Sequence, residues 1–229
     1  MPAEAAIDTH KIEAFEVQPQ ARLLQPIANA PRLTAASSDP VREIEILDEL
    51  GVRRSIYIPA ERALTVIVDD RELVTLMTLG ASPELLVLGF LRNQRQIKDA
   101  AALESIAVDW RAGTAIVKTR SAPRDPKAAL PRIVAGSSGQ GSIYAAMMSQ
   151  LDTIRLPDAA ASRISGSTLR CVLDIMRQHD TIHRHARSVH SCALFQHDRL
   201  LVSVEDVSRH NGLDTVSGWM ALHGTDGGD

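Results

Sequence analysis

The chain predicts an α+β (mixed α/β) fold, and three observations carry that expectation. Residues from Glu43 to Arg120 alternate apolar and polar side chains in short runs closed by tight turns, the period of half-buried strands. Beyond Pro157, helical and strand patterns alternate instead. Hydrophobic residues make up 45% of the 229 positions and aromatic residues only 3%, so the core must be built of Ala, Val, Leu and Ile. That length suits one large domain, or a main domain with a small appendage.

Residues 1–42 mix Ala, Pro, Gln and Ser without a clear period and read as a loosely ordered extension, with a short helix near Ile12 to Val17. A strand-rich portion, residues 43–130, follows. REIEILDEL and RRSIYIPA each alternate, and ALTVIVDDRELVTLM reads as a hairpin turning at Asp69–Asp70–Arg71. Ser82–Pro83–Glu84 opens a helix: Ser82 is suited to cap, Pro83 has its φ preset, and Glu84 suits the positive end. Leu85, Leu86, Leu88, Phe90 and Leu91 supply its apolar surface. LESIAVDW and TAIVKTR form a further strand pair around Arg111–Ala112–Gly113, before the proline-punctuated loop SAPRDPKAALP.

The α/β portion, residues 131–224, begins with the apolar run Ile133–Val134–Ala135. The loop GSSGQGS comes next, then a helix from Ser142 to Gln150. A longer helix is expected from Ser167 to Gln178. VHSCALFQ and RLLVSVED are expected as strands joined at His197–Asp198. The last helix starts near Arg209 and stops at Gly224, leaving a tail at 225–229.

Charge and composition exclude several classes. The net charge of −3 and the lack of a basic run predict neither nucleic-acid nor membrane attraction. The N-terminus lacks a basic start and apolar core, and no run reaches a membrane span, so a cytoplasmic protein is expected. Two cysteines, Cys171 and Cys192, are too few for a disulfide scaffold and lack metal-site spacing.

Four places are chemically suggestive. In GSSGQGS, Gly136 and Gly141 have the spacing of a phosphate-binding P-loop, but Ser142 and Ile143 stand where Lys and Ser/Thr are required, so a surface connection is favoured. His179 and His183 have the i, i+4 spacing of two ligands on one helical face; without HExxH, solvated histidines are the favoured reading and no metal site is expected. Cys171 falls in an apolar helical pattern and reads as a small core residue. Cys192 lies two residues after His190 on a strand, on the same sheet face, and an imidazolium there would lower a thiol pKa. Cys192 is thus the one weak catalytic candidate, with a buried strand cysteine as the alternative.

The densest polar cluster is VEDVSRHNGLDTVSG, Val204 to Gly218. It places Glu205, Asp206, Arg209, His210, Asn211 and Asp214 at a strand end and in the first turn of a helix. A helix start offers N–H groups to an anion, Arg209 adds a planar donor fork, and His210 can exchange a proton near neutral pH. A capped helix start with paired surface charges fits the pattern equally well.

Glu205 to Asp214 resembles the E-D-V-G-R-H-N-A-x-D of the formate dehydrogenase accessory sulfurtransferase family, FdhD/NarQ. Val189 to Leu194 is similar to that family's T-H-A-A-A-L, and ALTVIVDDRELVTLM with LLVLGFL resembles its upstream hairpin and helix. The likeness covers roughly residues 55–220 at the level of motifs.

The resemblance implies a cytidine-deaminase-like core for residues 131–224. It also implies sulfur passed from a cysteine desulfurase to the molybdenum bis-guanylyl-pterin cofactor, on the way to formate dehydrogenase. The family carries sulfur on a C-x-x-C whose cysteines fall here on Ser138 and Gly141, and neither can form a persulfide. The family's T-G-G-T-H appears as Ala186–Arg187–Ser188–Val189–His190, without its glycines.

His190, Asp206, Arg209, His210, Asn211 and Asp214 remain as cofactor-site candidates. Three functions are compatible with this pattern. The first is an accessory protein for a molybdenum or tungsten formate dehydrogenase, binding or delivering the cofactor without the cysteine loop. It would act as a chaperone or beside a cysteine-bearing paralogue, and as a possible homodimer. The second is a sulfurtransferase using Cys192. The third is a non-catalytic scaffold or regulator that kept the fold.

Overall fold

In the computed structural model, residues 26–120 and 162–225 are described, together with Asp158 and Ala160. The loop GSSGQGS, the apolar run before it and the helix expected after it lie outside the described residues, and with them the first third of the expected cytidine-deaminase-like core.

The fold is mixed α/β. Strands β1 (Arg32–Leu33), β4 (Arg62–Val68), β5 (Arg71–Thr78), β6 (Leu103–Asp109) and β7 (Thr114–Thr119) form one sheet in the order β1-β6-β7-β4-β5. Strands β2 (Val41–Leu47) and β3 (Arg53–Pro59) form an antiparallel ribbon, and β8 (His190–Gln196) and β9 (Arg199–Asp206) form another. Four α-helices are described: α1 (Pro83–Asn93), α2 (Gly166–His179), α3 (Thr181–Ala186) and α4 (Arg209–His223).

The β4–β5 hairpin turns where the sequence predicts. Asp69 and Asp70 both take positive φ, 46° and 68°, the two-residue turn that matches strand twist. The Asp69 carboxylate then accepts from the amide and hydroxyl of Thr119 at 3.0 and 2.6 Å, tying the turn to β7. Leu64, Val66, Ile106, Ala115 and Val117 on the inner face of the sheet are fully buried against α1.

Helix α1 is buried around nearly its whole circumference, because α4 covers the side that the sheet does not. Two glycines permit the crossing: a Cβ on Gly89 would fall 1.6 Å from the Asp214 carbonyl oxygen, and one on Gly218 would fall 1.9 Å from that of Leu85. Helix α4 packs its other side on the β8–β9 ribbon through Val204, Val216 and Trp219. Gly224, at φ 67°, ends it in the left-handed conformation expected of that position.

Several expectations need correction. Residues 26–42 are not a loose extension: β1 pairs in parallel with β6, and the Ile27 amide donates to the Leu222 carbonyl. A two-residue strand has no period to read, so the sequence pattern does not reveal it. Ser82 takes the N-cap position of α1 but makes no side-chain cap, and Glu84 turns inward to accept from Thr34 Oγ1 (2.5 Å) and the Ala36 amide (2.7 Å). Cys171 is exposed on α2, which has no buried residue at all.

Candidate functional site

Strand β9 ends in two acidic residues, and the pleat sends their side chains to opposite faces. Both carboxylates are buried, and each binds a different layer. Glu205 faces α3. Its Oε2 accepts from the Thr181 and Ile182 amides, both at 2.9 Å, and from Thr181 Oγ1 at 3.2 Å. Its Oε1 accepts from the His183 amide at 2.8 Å. These are the orphan amides of a helix first turn, and α3 makes no N-cap of its own with Asp180. Glu205 therefore supplies the cap, and its negative charge suits that helix end.

Asp206 faces α4 and the end of the five-stranded sheet. Its Oδ2 accepts from Thr78 Oγ1 (2.6 Å) and the Leu79 amide (3.2 Å). Its Oδ1 accepts from Asn211 Nδ2 (2.8 Å) and the Ser208 amide (3.2 Å). Asn211 Nδ2 also donates to the Met77 carbonyl at 2.7 Å. A buried carboxylate with four donors is stable where an unpaired one would not be. Asp206 and Asn211 thus form an inner clamp that joins the end of β5 to the start of α4, with no free face toward solvent.

The remaining candidates lie outside that clamp. Ser208 caps α4 by accepting from the His210 amide at 3.2 Å, and the next two side chains, Arg209 and His210, are exposed. His190 opens β8 directly opposite Asp206 and is also exposed. Arg209 makes no side-chain hydrogen bond or ion pair with the described residues, which leaves its donor fork available. Its fork and the imidazoles of His190 and His210 are the donor chemistry that phosphate or carboxylate oxygens accept.

Asp214 sits one turn further along α4, partly buried against α1. Its Oδ1 accepts from Asn93 Nδ2 at 2.7 Å, and Asn93 Oδ1 accepts from Ser217 Oγ at 2.9 Å. Burial pushes the Asp214 carboxyl above the usual carboxylate range, with the Asn93 hydrogen bond and the positive charge of His210 partly opposing it.

Cys192 does share the α4 face of its ribbon with His190. Burial, and secondarily the charge of Asp206, push its thiol up, whereas a sulfur carrier needs a lowered one. Its packing explains its presence. A Cβ on Gly212 would fall 2.6 Å from Cys192 Sγ, so the sulfur fills the space that a methyl group at 212 would take. The motif that this segment resembles has alanine at both positions, and here Cys and Gly exchange that volume.

Helix α2 ends at His179 and α3 starts afresh at Thr181, so the i, i+4 spacing of His179 and His183 does not place them on one helix. No metal-binding group of three or more His, Cys, Asp or Glu side chains occurs among the described residues.

Before β8, the two positions at which the resembled motif has glycine both take positive φ. Arg187 has φ 55° and ψ −164°, and Ser188 has φ 50°, so two side chains occupy positions that favour glycine. Sequence reasoning missed Thr78, whose role needs a contact 128 positions away. Only its place beside the hairpin end hints at it.

The FdhD/NarQ family model matches residues 59–229. The chain is 27% identical over 188 residues to the sulfur carrier protein FdhD of Halalkalibacterium halodurans, covering 79% of this chain and 67% of that one. It is 27% identical to the protein of the same name from Bacillus licheniformis, covering 75% and 65%, and 29% identical to that from Bacillus subtilis, covering 72% and 62%. The chain thus spans about two thirds of the length of these relatives. Its fold matches a crystal structure from Desulfotalea psychrophila, described as a formate dehydrogenase accessory protein, with a TM-score of 0.60 and 22% identity. That match covers 81% of this chain and 70% of that one.

Proposed function

The chain belongs to the FdhD/NarQ family, and from that premise we propose that it serves a molybdenum or tungsten formate dehydrogenase as an accessory protein. In this reading it binds or delivers the bis-guanylyl-pterin cofactor, with the catalytic subunit as its partner, and carries no sulfur through the usual loop. The names of its relatives, sulfur carrier protein and formate dehydrogenase accessory protein, support the setting.

The observation that carries the ligand reading is the outward pair Arg209–His210, held over a clamp whose own polar groups are satisfied. The donors left to this face are cationic or can become so, and the guanylyl groups of the cofactor present phosphate oxygens. His190, Arg209 and His210 would meet those oxygens, while Asp206 and Asn211 hold them in place. Ser138 and Gly141, at the positions of the family's carrier cysteines, offer no sulfur nucleophile. The raised thiol of Cys192 argues against its taking over that role.

Calorimetric titration with GDP tests this reading. The wild-type chain is expected to bind, and Arg209→Ala to weaken binding about tenfold, the scale of one lost charge-assisted hydrogen bond. Absence of heat with GDP and with the cofactor, and no formate dehydrogenase subunit retained by the protein, would count against it.

A further inference from the structure

We propose that Thr78 is a positioning residue for the Arg209–His210 face, an inference that rests on the ligand reading above and extends it to the end of β5. Thr78 ends β5 and is 2% exposed. Its hydroxyl donates to Asp206 Oδ2 at 2.6 Å and accepts from the Gly80 amide at 3.1 Å, so its rotor has one orientation. The other carboxylate oxygen of Asp206 holds the Ser208 amide and the Asn211 side chain. Ser208 and Asn211 bracket Arg209 and His210 in the sequence. The bonds therefore run unbroken from the hairpin end, through one carboxylate, to both sides of the proposed ligand face.

Losing the Thr78 hydroxyl leaves Oδ2 with the Leu79 amide at 3.2 Å as its remaining protein donor. A buried carboxylate short of a donor reorients or draws in water. Either response loosens the Ser208 side of the segment, while Asn211 keeps its bond to the Met77 carbonyl, and spreads the directions in which Arg209 points. Thr78 would touch no ligand, and its influence on the ligand face would pass through Asp206.

The test compares Thr78→Val, which keeps the shape and loses the hydroxyl, with Thr78→Ser, which keeps the hydroxyl. Val74→Ala in the five-stranded sheet serves as a control for general loss of stability. With all proteins held well below their melting temperatures, Thr78→Val is expected to weaken GDP binding about tenfold, and Thr78→Ser to bind within about twofold of wild type. Val74→Ala should leave affinity unchanged. Unaltered binding by folded Thr78→Val, or equal weakening by Val74→Ala, overturns the proposal. Amide resonances of Ser208 to Asn211 provide a ligand-free arm: Thr78→Val should shift them and Thr78→Ser should not. If the wild type itself ignores GDP, the ligand reading falls, and motionless resonances in Thr78→Val would overturn the positioning role separately.

Discussion

The five-stranded sheet and the β8–β9 ribbon are both packed on the central pair of helices, yet they are held by different forces. Leu64, Val66, Ile106, Ala115 and Val117 of the sheet reach 0% exposure, while the buried apolar residues of the ribbon and the helix face on it, Leu201, Val202, Val204, Val216 and Trp219, retain 3–9%. The ribbon region compensates with buried polar groups: Glu205, Asp206, Asn211 and Thr215 all lie inside. Apolar packing is tolerant of direction, whereas a carboxylate with four donors fixes the angle of everything bound to it. The sheet supplies bulk stability, and the ribbon supplies orientation, at the place where the exposed cationic side chains sit.

The largest effect is expected where the two regions meet. Gly218→Ala places a methyl group against the Leu85 carbonyl, and α1 and α4 must separate to admit it. We expect a loss of about 3 kcal/mol by urea denaturation, at the upper end of overpacking costs. A neutral result would show that the helices do not cross at backbone contact, and the two regions would then have no rigid joint.

A smaller effect separates packing from chemistry at Cys192. Gly212→Ala alone should cost about 1–2 kcal/mol through contact with the sulfur, despite the better helix propensity of alanine. Cys192→Ala in the same chain should return most of that loss, because the two positions exchange volume. Additive losses in the double variant would argue that Cys192 is retained for something other than its size.

The smallest effect concerns Asp214. Its folded carboxyl titrates above the ordinary carboxylate range, chiefly because it is buried. Between the unfolded and folded values the native state binds more protons, so stability falls as pH rises through that window and stays lower above it. Asp214→Asn keeps an acceptor for Asn93 and removes the charge. It should raise the melting temperature at pH 7, with the gain vanishing in acid where the wild-type carboxyl is protonated. A lower melting temperature at pH 7 would mean that the charge itself is a binding partner in the fold.

What could be read from the sequence follows from how local each signal is. The hairpins at Asp69–Asp70 and His197–Asp198, the Pro83 helix start and the Gly224 stop are written in adjacent residues, and all appear where the pattern places them. The motif Glu205 to Asp214 marks a polar concentration, but the sequence does not divide it into inward and outward members. That division depends on strand pleat and on partners such as Thr78 and Thr181, which the chain brings from 128 and 24 positions away. Strand β1 and helix α3 are too short to show a period. Cys171 follows an apolar pattern on a helix whose surroundings leave it exposed.

The segment Glu205 to Asp214 divides between a buried clamp and the proposed ligand face, and a matched pair of substitutions separates the two. Asp206→Ala and Arg209→Ala would be compared by melting temperature and by GDP titration in the same buffer. Asp206→Ala is expected to lose about 3 kcal/mol of stability, because the Thr78 hydroxyl and the Leu79 and Ser208 amides lose their acceptor and Asn211 keeps only the Met77 carbonyl. Arg209→Ala is expected to melt like the wild type and to lose affinity. An Asp206→Ala protein that melts unchanged, or an Arg209→Ala protein that unfolds early and binds GDP normally when folded, would contradict that division.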